Sequence, residues 1–304
     1  RLGVVSEQQT IFFLKLIKMI NSKTSFLALI GNPVEHSLSP IMHNAALEFL
    51  GLDLIYIAIP CKNDDFQIVM NGLKKINCRG LNITIPFKEK AFNICEEISP
   101  IAKKVKAINT LKINDNGAWQ GTNTDIEGFI DPIKDLDLSG KISTILGSGG
   151  AARSAVQGLI DLNLAKIQVI SRNESSLKNF INDFKGFKSV KGYHPYDSQI
   201  KDLMNNSDLI INTTPIGMKK FNANYDELPF GKDFWQSLNS KTIVYDLIYN
   251  PRVTKLLKLS EKKGCQTIDG SEMLVAQGAK SLSYWTNIDN IPIEIMKKAI
   301  NKHL

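Results

Sequence analysis

The chain has 304 residues, of which 43% are hydrophobic and 22% charged, and its formal net charge is +7. This length suggests about two domains, each large enough to bury a hydrophobic core of its own. The lysines are scattered, and no basic block is interleaved with aromatic residues as in a nucleic-acid-binding surface. We therefore expect a solvated surface that attracts anionic small molecules, and no nucleic-acid partner.

Cysteine and histidine usage argues against disulfides and against a metal site. The four cysteines lie far apart and form no C-x-x-C pair, at positions 61, 78, 95 and 265. The four histidines show neither the H-x-x-x-H nor the H-E-x-x-H spacing of zinc sites. We expect free thiols in a reducing, cytoplasmic environment and no bound metal.

The N-terminal stretch of residues 11–20, IFFLKLIKMI, is apolar but is interrupted by Lys15 and Lys18. It is too short and too charged to span a bilayer, and it lacks the small-residue cleavage site of a signal peptide. We interpret residues 1–20 as an N-terminal extension without a role in the chemistry, and we expect no membrane partner.

From Ser25 onward, short apolar runs alternate with amphipathic stretches, the pattern of an α/β protein. Ser39 and Pro40 predict the N-cap and the first turn of a helix. Asn114 and Gly117 predict the turn of a β-hairpin. The strands predicted in this first part cover residues 26–30, 54–59, 80–85, 108–113 and 118–122, and the helices cover 40–50, 64–75 and 87–94.

The second part continues the alternation after a helix predicted over 125–136. Its predicted strands cover residues 142–146, 166–170, 208–212, 243–246 and 266–268, and its helices include 174–184, 254–263, 272–285 and 291–302. The whole pattern predicts two doubly wound α/β domains separated by a cleft. We assign 21–125 to a substrate-binding catalytic domain and 126–272 to a Rossmann-type dinucleotide-binding domain, and we expect helices within 273–304 to return to the first.

A glycine-rich turn follows the strand predicted at 142–146 and opens a helix. Gly147, Gly149 and Ala152 are spaced as G-x-G-x-x-A, with Gly150 and Ala151 between the last two. Free backbone N–H groups and the helix dipole meet at such a turn and form an anion site. Gly147 permits the tight turn, Gly149 lets a pyrophosphate approach, and Ala152 keeps the helix close to the strand. This context predicts dinucleotide binding.

Polar residues follow the strands of the first part, where ligands lie in α/β sheets. Ser37 and Ser39 could hold a carboxylate, although Ser39 could equally cap its helix. Asn82 and Thr84 share one strand face, and Lys88 follows Pro86. A lysine is normally a solvated cation and needs burial or a charged neighbour for proton transfer near neutral pH. The carboxylate of Asp125 either caps its helix or faces Lys88 across a cleft.

These segments together resemble the shikimate dehydrogenase family. The motifs are G-N-P-V-x-H-S-x-S-P, N-x-T-x-P-x-K, I-N-T and G-x-N-T-D-x-x-G-F, and the resemblance runs from about Ser25 to the C-terminus. It implies reversible NADPH-dependent reduction of 3-dehydroshikimate to shikimate, in chorismate and aromatic amino-acid biosynthesis, by a monomer or homodimer. His36 and His43 lie within the first motif, and we interpret both as structural.

The resemblance also implies a role for each matching residue. Lys88 and Asp125 form the catalytic pair at the hydroxyl that is oxidised. The substrate carboxylate and ring hydroxyls are bound by Ser37, Ser39, Asn82, Thr84, Asn109, Tyr249 and Gln277. The cofactor is bound by Gly147, Gly149, Gly150, Ala151, Ser171, Arg172, Asn173, Thr213, Gly270 and Met273. By periodicity alone, Met273 is as well explained by the helix core.

Cofactor choice depends on the segment after the second strand of the dinucleotide-binding part. Arg172 can stack on adenine and pair with a 2′-phosphate, which favours NADP. Glu174 could instead repel that phosphate or accept a ribose hydroxyl from NAD, and Ser171 and Asn173 depart from the usual family pattern. An alternative is therefore the quinate/shikimate dehydrogenase branch with NAD or NADP.

Two further classes share parts of this pattern. An enzyme of the methylenetetrahydrofolate dehydrogenase type has a lysine-bearing first domain but lacks the loop with Ser37 and Ser39. A non-enzymatic dinucleotide sensor would need the fold without a proton-transfer pair, whereas this chain has both Lys88 and Asp125. Both alternatives are therefore less favoured than the shikimate dehydrogenase interpretation.

Overall fold

The computed structural model describes residues 20–76, 78–219 and 227–304. The predicted N-terminal extension lies outside the described residues, apart from Ile20. The described strands form two six-stranded sheets, as the alternating pattern predicts. We call each sheet together with the helices packed on it an α/β unit, the first unit preceding the second in the chain.

The first sheet is mixed and has the strand order β2-β1-β3-β5-β6-β4. Its strands are β1 (Ser25–Gly31), β2 (Leu54–Pro60), β3 (Cys78–Ile83), β4 (Glu97–Ile98), β5 (Thr110–Ile113) and β6 (Trp119–Thr122). Helices α1 (Ser39–Phe49) and α2 (Phe66–Leu73) connect the three parallel strands β1, β2 and β3. β5 and β6 form the predicted hairpin, whose first strand pairs antiparallel with β3. The hairpin turn is held by Asn114, whose side-chain oxygen accepts from the backbone N–H of Asn116 and Ala118.

The second sheet is entirely parallel and has the order β12-β11-β10-β7-β8-β9. Its strands are β7 (Ile142–Leu146), β8 (Lys166–Ile170), β9 (Val190–Tyr193), β10 (Leu209–Asn212), β11 (Ile243–Asp246) and β12 (Gln266–Ile268). This is the strand order of Rossmann-type dinucleotide-binding sheets. The order reverses between β7 and β10, and ligands of such sheets bind beyond the carboxyl ends of the strands at this point.

The remaining helices connect the strands and cover the faces of both sheets. They are α3 (Lys88–Ile94), α4 (Pro100–Val105), α5 (Asp125–Ile130), α6 (Gly150–Asp161), α7 (Glu174–Asp183), α8 (Ile200–Asn205), α9 (Lys255–Lys262), α10 (Ser271–Thr286) and α11 (Ile293–Asn301). Among the described residues, no helix is long and apolar enough to cross a membrane.

Several predicted details differ from the structure. The predicted N-cap role of Ser39 is wrong: Leu38 occupies the cap position, and Ser39 is the first helical residue of α1. The helix predicted over 125–136 ends at Ile130 and continues as one 3₁₀ turn over Asp131–Ile133. The pattern also missed β4, α4, β9 and α8, which have only two to six residues each and so show too little periodicity.

The C-terminal helices α10 and α11 pack against the first unit. Leu274, Val275 and Leu282 of α10 share one buried cluster with Leu27 of β1 and Met42 of α1. α10 also crosses β3 closely, because Gly80 presents no side chain to Trp285. A Cβ atom placed at Gly80 would lie 2.3 Å from the Trp285 indole nitrogen, which donates a hydrogen bond to the Leu111 carbonyl. The last part of the chain thus covers one face of the first sheet.

We expect Gly80→Ala to destabilise the protein because the fixed indole ring of Trp285 cannot yield to the new methyl group. Overpacking of this kind lowers the free energy of unfolding by about 2–3 kcal/mol. The matched control is Gly72→Ala in α2, where the new methyl group meets no other described element within 4 Å. The control should be neutral or stabilising by up to about 1 kcal/mol, since alanine favours helix. Chemical denaturation of both variants checks this, and equal stabilities would contradict the close packing of α10.

Candidate active site

The central feature of the cleft is an ion pair between Lys88 and Asp125. Lys88 is the first residue of α3 and Asp125 the first residue of α5. Lys88 Nζ lies 2.6 Å from Asp125 Oδ2, and the side chains are only 15% and 6% exposed. A cation at a helix N-terminus is disfavoured by the helix dipole, so the carboxylate offsets that cost at Lys88. The structure therefore brings together the two residues that the sequence predicts as a catalytic pair.

The second oxygen of Asp125 is held by Asn109, which lies just before β5. Asn109 Nδ2 donates to Asp125 Oδ1 at 2.9 Å, and Asn109 Oδ1 accepts from the backbone N–H of Thr124 at 2.8 Å. The backbone N–H of Asp125 donates to Asn123 Oδ1 at 3.0 Å. Asn123 is a residue that the sequence analysis missed. These bonds fix the carboxylate in one orientation, with one oxygen towards Lys88.

Asn82 lies on β3, and both ends of its side-chain amide are hydrogen-bonded. Its Oδ1 accepts from the Tyr56 hydroxyl at 2.8 Å, and its Nδ2 lies 3.0 Å from Ser281 Oγ and 3.1 Å from Thr110 Oγ1. Neither Tyr56 nor Ser281 was predicted as a site residue. Ser281 follows Gln277 by one helical turn on α10, and this spacing is the only sequence signal that could have indicated it.

The predicted serine loop lies next to Tyr249, which comes from the second unit. Ser37 Oγ accepts from the backbone N–H of Ser39 at 3.2 Å, and the Tyr249 phenol is hydrogen-bonded to Ser37 and to the Leu38 backbone. Burial raises the pKa of Tyr249, and these hydrogen bonds oppose part of that rise. The phenol is therefore a neutral donor at physiological pH. Hydroxyl donors of this kind suit a carboxylate ligand.

Thr84 and Gln277 border the same region from opposite sides. Thr84 is half-buried after β3, and its backbone N–H donates to the Ile30 carbonyl at 2.9 Å. Gln277 is half-buried on α10, with Nε2 donating to the Leu274 carbonyl at 2.7 Å and Oε1 3.5 Å from Asn109 Nδ2. The contact with Asn109 is long, so the Gln277 oxygen can still accept from another donor.

The glycine turn has the geometry that dinucleotide binding requires. Gly147 has a φ of +109°, which side chains rarely adopt, and a Cβ there would lie 2.7 Å from Thr213 Oγ1. Thr213 Oγ1 donates to the Leu146 carbonyl at 2.7 Å and so joins the ends of β7 and β10. Gly149 has open space around it, and no side chain caps the start of α6. The backbone donors of this helix N-terminus therefore suit a pyrophosphate.

The two units meet where Lys88 passes Gly150. A Cβ placed at Gly150 would lie 3.2 Å from Lys88 Cδ and 3.3 Å from Lys88 Cβ. The lysine stem thus rests on the glycine turn while its ammonium reaches Asp125. The side chains of Lys88 and Asp125 point towards each other, as the sequence interpretation requires. Side chains that pointed to opposite sides of the groove would have contradicted it.

The segment predicted to choose the cofactor follows β8. Ser171 is buried and its hydroxyl lies 3.0 Å from Ser148 Oγ, whereas Arg172 and Glu174 are exposed at the start of α7. Asn173 is the N-cap of α7, and its side-chain oxygen accepts from the Ser176 N–H at 2.8 Å. The Asn173 oxygen is thus engaged by the helix, whereas a contact between the exposed Arg172 and a phosphate stays a prediction.

Gly270 and Met273 lie at the start of α10, next to the end of β11. The Gly270 N–H donates to the Ile248 carbonyl at 3.1 Å. Met273 is buried in the same hydrophobic cluster as Phe129 and Tyr245. Its burial agrees with the helix-core explanation that periodicity favours. A contact between Met273 and nicotinamide stays a prediction.

The histidines and acidic residues of the described chain form no metal-binding group. His43 is fully buried and stacks on the Tyr56 ring with centroids 4.2 Å apart. Burial lowers the pKa of His43 to about 3, so the ring is neutral at physiological pH. His43 is therefore an uncharged aromatic residue of the core, packed against Tyr56.

Asp246 ends β11 and organises the neighbouring loops of the second unit. Its Oδ1 accepts from Asn212 Nδ2 at 2.9 Å and from the Ile248 N–H at 3.2 Å, and its Oδ2 accepts from Thr254 Oγ1 at 2.7 Å. Burial raises the pKa of Asp246 to about 6, although the three hydrogen bonds favour the charged form. This carboxyl was not predicted from the sequence.

The fold and the cleft together define a class: a two-unit α/β oxidoreductase that binds a dinucleotide on one side and a small polar substrate on the other. Models of two families match the chain, the shikimate dehydrogenase substrate binding domain over residues 29–111 and the shikimate 5′-dehydrogenase C-terminal domain over residues 270–300. A protein of Prochlorococcus marinus subsp. pastoris, named shikimate dehydrogenase (NADP(+)), is 65% identical over 286 residues, which are 94% of this chain and 100% of that protein.

Solved structures give the same result. A shikimate dehydrogenase crystallised with NADP+ is 36% identical, with a TM-score of 0.81 over 94% of this chain and 98% of that one. The Listeria monocytogenes enzyme, crystallised with shikimate and NAD, is 31% identical, with a TM-score of 0.80 over 93% of this chain and 98% of that one. The chain belongs to the shikimate dehydrogenase family.

We expect Asp246→Asn to change how stability depends on pH. Because the folded-state pKa of Asp246 is raised, its protonated form stabilises the fold fully below about pH 4, and this contribution is lost as pH rises through about 6. The loss amounts to about 3 kcal/mol for a shift of about two pKa units. The amide keeps the shape and the acceptor towards Asn212, and the Thr254 hydroxyl can rotate to accept.

The measurement is the free energy of unfolding of both proteins between about pH 4 and pH 7. The stability of the wild type relative to Asp246→Asn should fall across this range. Parallel curves would show that the Asp246 carboxyl titrates alike in the folded and unfolded chains.

Proposed function

We propose that this chain catalyses the reversible, NADPH-dependent reduction of 3-dehydroshikimate to shikimate. The observation that carries the proposal is the almost buried Lys88–Asp125 pair, placed against Gly150 of the dinucleotide turn. Family membership supports the same activity, because the relatives with 61–65% identity are named shikimate dehydrogenase (NADP(+)). A proton-transfer pair next to a dinucleotide site is the arrangement that reversible oxidation of an alcohol needs.

We propose that the substrate lies between the serine loop and α10. Ser37, Ser39, Thr84 and Tyr249 supply hydroxyl groups that can donate to the carboxylate. Asn109 and Gln277 are placed towards the ring hydroxyls. Asn82 is held by neighbouring side chains, and its Oδ1 accepts one hydrogen bond, from the Tyr56 hydroxyl. We propose that it also binds a ring hydroxyl of the substrate, through the second acceptor position of Oδ1.

In the reduction direction, Lys88 supplies the proton. Its ammonium group donates to the ketone oxygen of the substrate, which becomes the hydroxyl, and Lys88 is left as a neutral amine. Asp125 remains a carboxylate throughout and orients both the lysine and the new hydroxyl. The nicotinamide, when bound, supplies the hydride to the ring carbon. In the oxidation direction the neutral amine of Lys88 takes the proton back.

The residues of the second unit that would hold the cofactor fit its chemistry. The start of α6 at Gly149, Gly150 and Ala151 faces the pyrophosphate, with Gly147 and Thr213 setting the turn. Arg172 would pair with the 2′-phosphate, while Ser171 and Asn173 support the same loop. Gly270 and Met273 lie at the opposite end, where the nicotinamide is expected.

We further propose that the enzyme acts in the cytoplasm as a monomer or a homodimer, with its substrate and cofactor as its small-molecule partners. The four cysteines are unpaired, which suits a reducing compartment.

We expect Lys88→Met to lower kcat by about 10²–10⁴-fold, since the general acid is lost while the stem still fills its place beside Gly150. The affinity for NADP+, measured by titration, should change little. The matched control is Lys90→Met, two residues further along α3, where the ammonium contacts Asn63 and lies near the Phe87 ring. Wild-type turnover in Lys88→Met would remove this lysine from the mechanism.

We expect the wild type to oxidise shikimate with NADP+ faster than shikimate with NAD+ or quinate with either cofactor. Arg172→Ala should raise the KM for NADP+ by about 10–100-fold, because charge-assisted bonds to a phosphate are lost, and should leave the KM for NAD+ nearly unchanged. Initial rates on both substrates with both cofactors give the answer. Equal effects on the two cofactors would refute the 2′-phosphate role, and faster quinate oxidation with NAD+ would favour the quinate/shikimate branch.

A further inference from the structure

Four side chains of alternating charge link the two α/β units beside the cleft. Glu89 of α3 and Lys106, at the end of α4, come from the first unit, and Arg153 of α6 and Asp183 of α7 come from the second. Arg153 Nε lies 3.4 Å from Glu89 Oε1 and Arg153 Nη2 lies 2.9 Å from Asp183 Oδ2, while Lys106 Nζ contacts Asp183 Oδ1. We call these four residues the inter-unit ion-pair network.

The network has a buried centre and exposed ends. The side chains of Arg153 and Asp183 are 8% and 18% exposed, and the guanidinium also lies over the Phe180 ring at 5.3 Å. Glu89 and Lys106 are 55% and 53% exposed. A buried charge cannot give up its partner cheaply, whereas an exposed pair changes an equilibrium by no more than about fivefold. The contacts within the second unit are therefore fixed, and those between the units can open and close.

Asp183 is prepared to receive the ammonium of Lys106. Burial alone would raise the pKa of Asp183, but the hydrogen bonds from Lys106 and Arg153 outweigh it and lower the pKa. The carboxylate is therefore charged at physiological pH. When Lys106 leaves, Asp183 keeps its bond to Arg153, so an opened state leaves no buried charge unpaired.

Lys106 has an unfavourable backbone for a lysine. It is left-handed, with φ +50° and ψ +37°, at the position after α4 where glycine is preferred. Glycine would fit the turn better but could not supply an ammonium group. Lys106 has a strained backbone and makes a contact between the units. This combination points to a role beyond local stability.

The network adjoins the residues that carry the proposed chemistry. Glu89 directly follows Lys88 in α3, and Arg153 follows Gly150 by three residues, about one turn of α6. The Lys88 stem rests on Gly150, so one spacing between α3 and α6 determines both contacts. Holding Glu89 against Arg153 holds Lys88 against the dinucleotide turn.

We propose that Glu89 and Lys106 are positioning residues: their ion pairs with Arg153 and Asp183 hold the two units in the closed arrangement that places Lys88 beside the cofactor site. This inference rests on the proposed function only for its kinetic consequence. The closing of the cleft itself is a structural claim that can be measured without turnover.

The main test is Lys106→Gly. This change should not lower the thermal stability, whereas it should lower kcat by removing the contact between the units. Relief of the left-handed conformation should leave the thermal midpoint unchanged or higher. Loss of the ion pair should lower kcat for shikimate oxidation about fivefold, and addition of Glu89→Gln should lower it further. Lys106→Arg keeps the charge and should restore kcat. Asn163→Gly relieves another left-handed residue outside the network and is the matched control.

Small-angle X-ray scattering with and without NADP+ gives the readout that does not depend on activity. The radius of gyration of Lys106→Gly should exceed that of the wild type, and high salt should expand the wild type but not the double variant, because salt screens exposed pairs. The proposal is overturned if Lys106→Gly keeps the wild-type radius and kcat, or if it loses kcat and thermal midpoint together. A wild type without shikimate oxidation would refute the proposed function, while scattering would still decide the role of the network.

Discussion

The ion pair between Lys88 and Asp125 is the interaction on which the rest of the cleft depends. Two charges this far from water cost more than their attraction returns unless every remaining oxygen and proton is engaged. The structure meets this condition for the carboxylate, because Asn109 occupies its second oxygen and Asn123 accepts from the Asp125 backbone. The hydrogen bonds among the described residues engage one of the three Lys88 protons. Both amides lie beside strands of the hairpin β5–β6. The hairpin therefore supports the charged pair through the residues at its two ends.

Close approach between elements sets the width of the cleft. Gly80 lets α10 pack on β3 through Trp285, and Gly147 lets Thr213 join the ends of β7 and β10. The substrate side thus depends on a helix from the end of the chain, which carries Gln277 and Ser281 over the first sheet. Ser281 shares hydrogen bonds with Asn82, so the floor of the site is tied to α10 as firmly as to its own sheet.

Sequence reasoning succeeded where the signal is local. The strand, turn and helix around Gly147 and the hairpin turn at Asn114 each fall within a few residues, and both were predicted. The motifs also indicated Lys88 and Asp125, although only the fold shows that their side chains meet. What escaped prediction is non-local: Asn82 and Ser281 are 199 positions apart, and no periodicity relates them. Short elements escaped too, because two to six residues do not repeat often enough to show a period. Ser39 has the residue type of an N-cap, but Leu38 occupies that position.

A cleft of this kind must exclude water during the reaction and must also open for the substrate. Apolar contacts and exposed ion pairs serve these two requirements differently. The proposed proton transfer at Lys88 needs a site from which bulk water is excluded, since water would compete for the proton. Entry of substrate needs the same site to open. An extensive apolar joint between the units would exclude water well, but each 100 Å² of it would cost about 2.5 kcal/mol to expose. Exposed pairs such as Lys106 with Asp183 are exchanged for hydration at little cost. Both contact types occur between the units: Met273 of α10 packs into the apolar core of the second unit, whereas Lys106 meets Asp183 through an exposed pair.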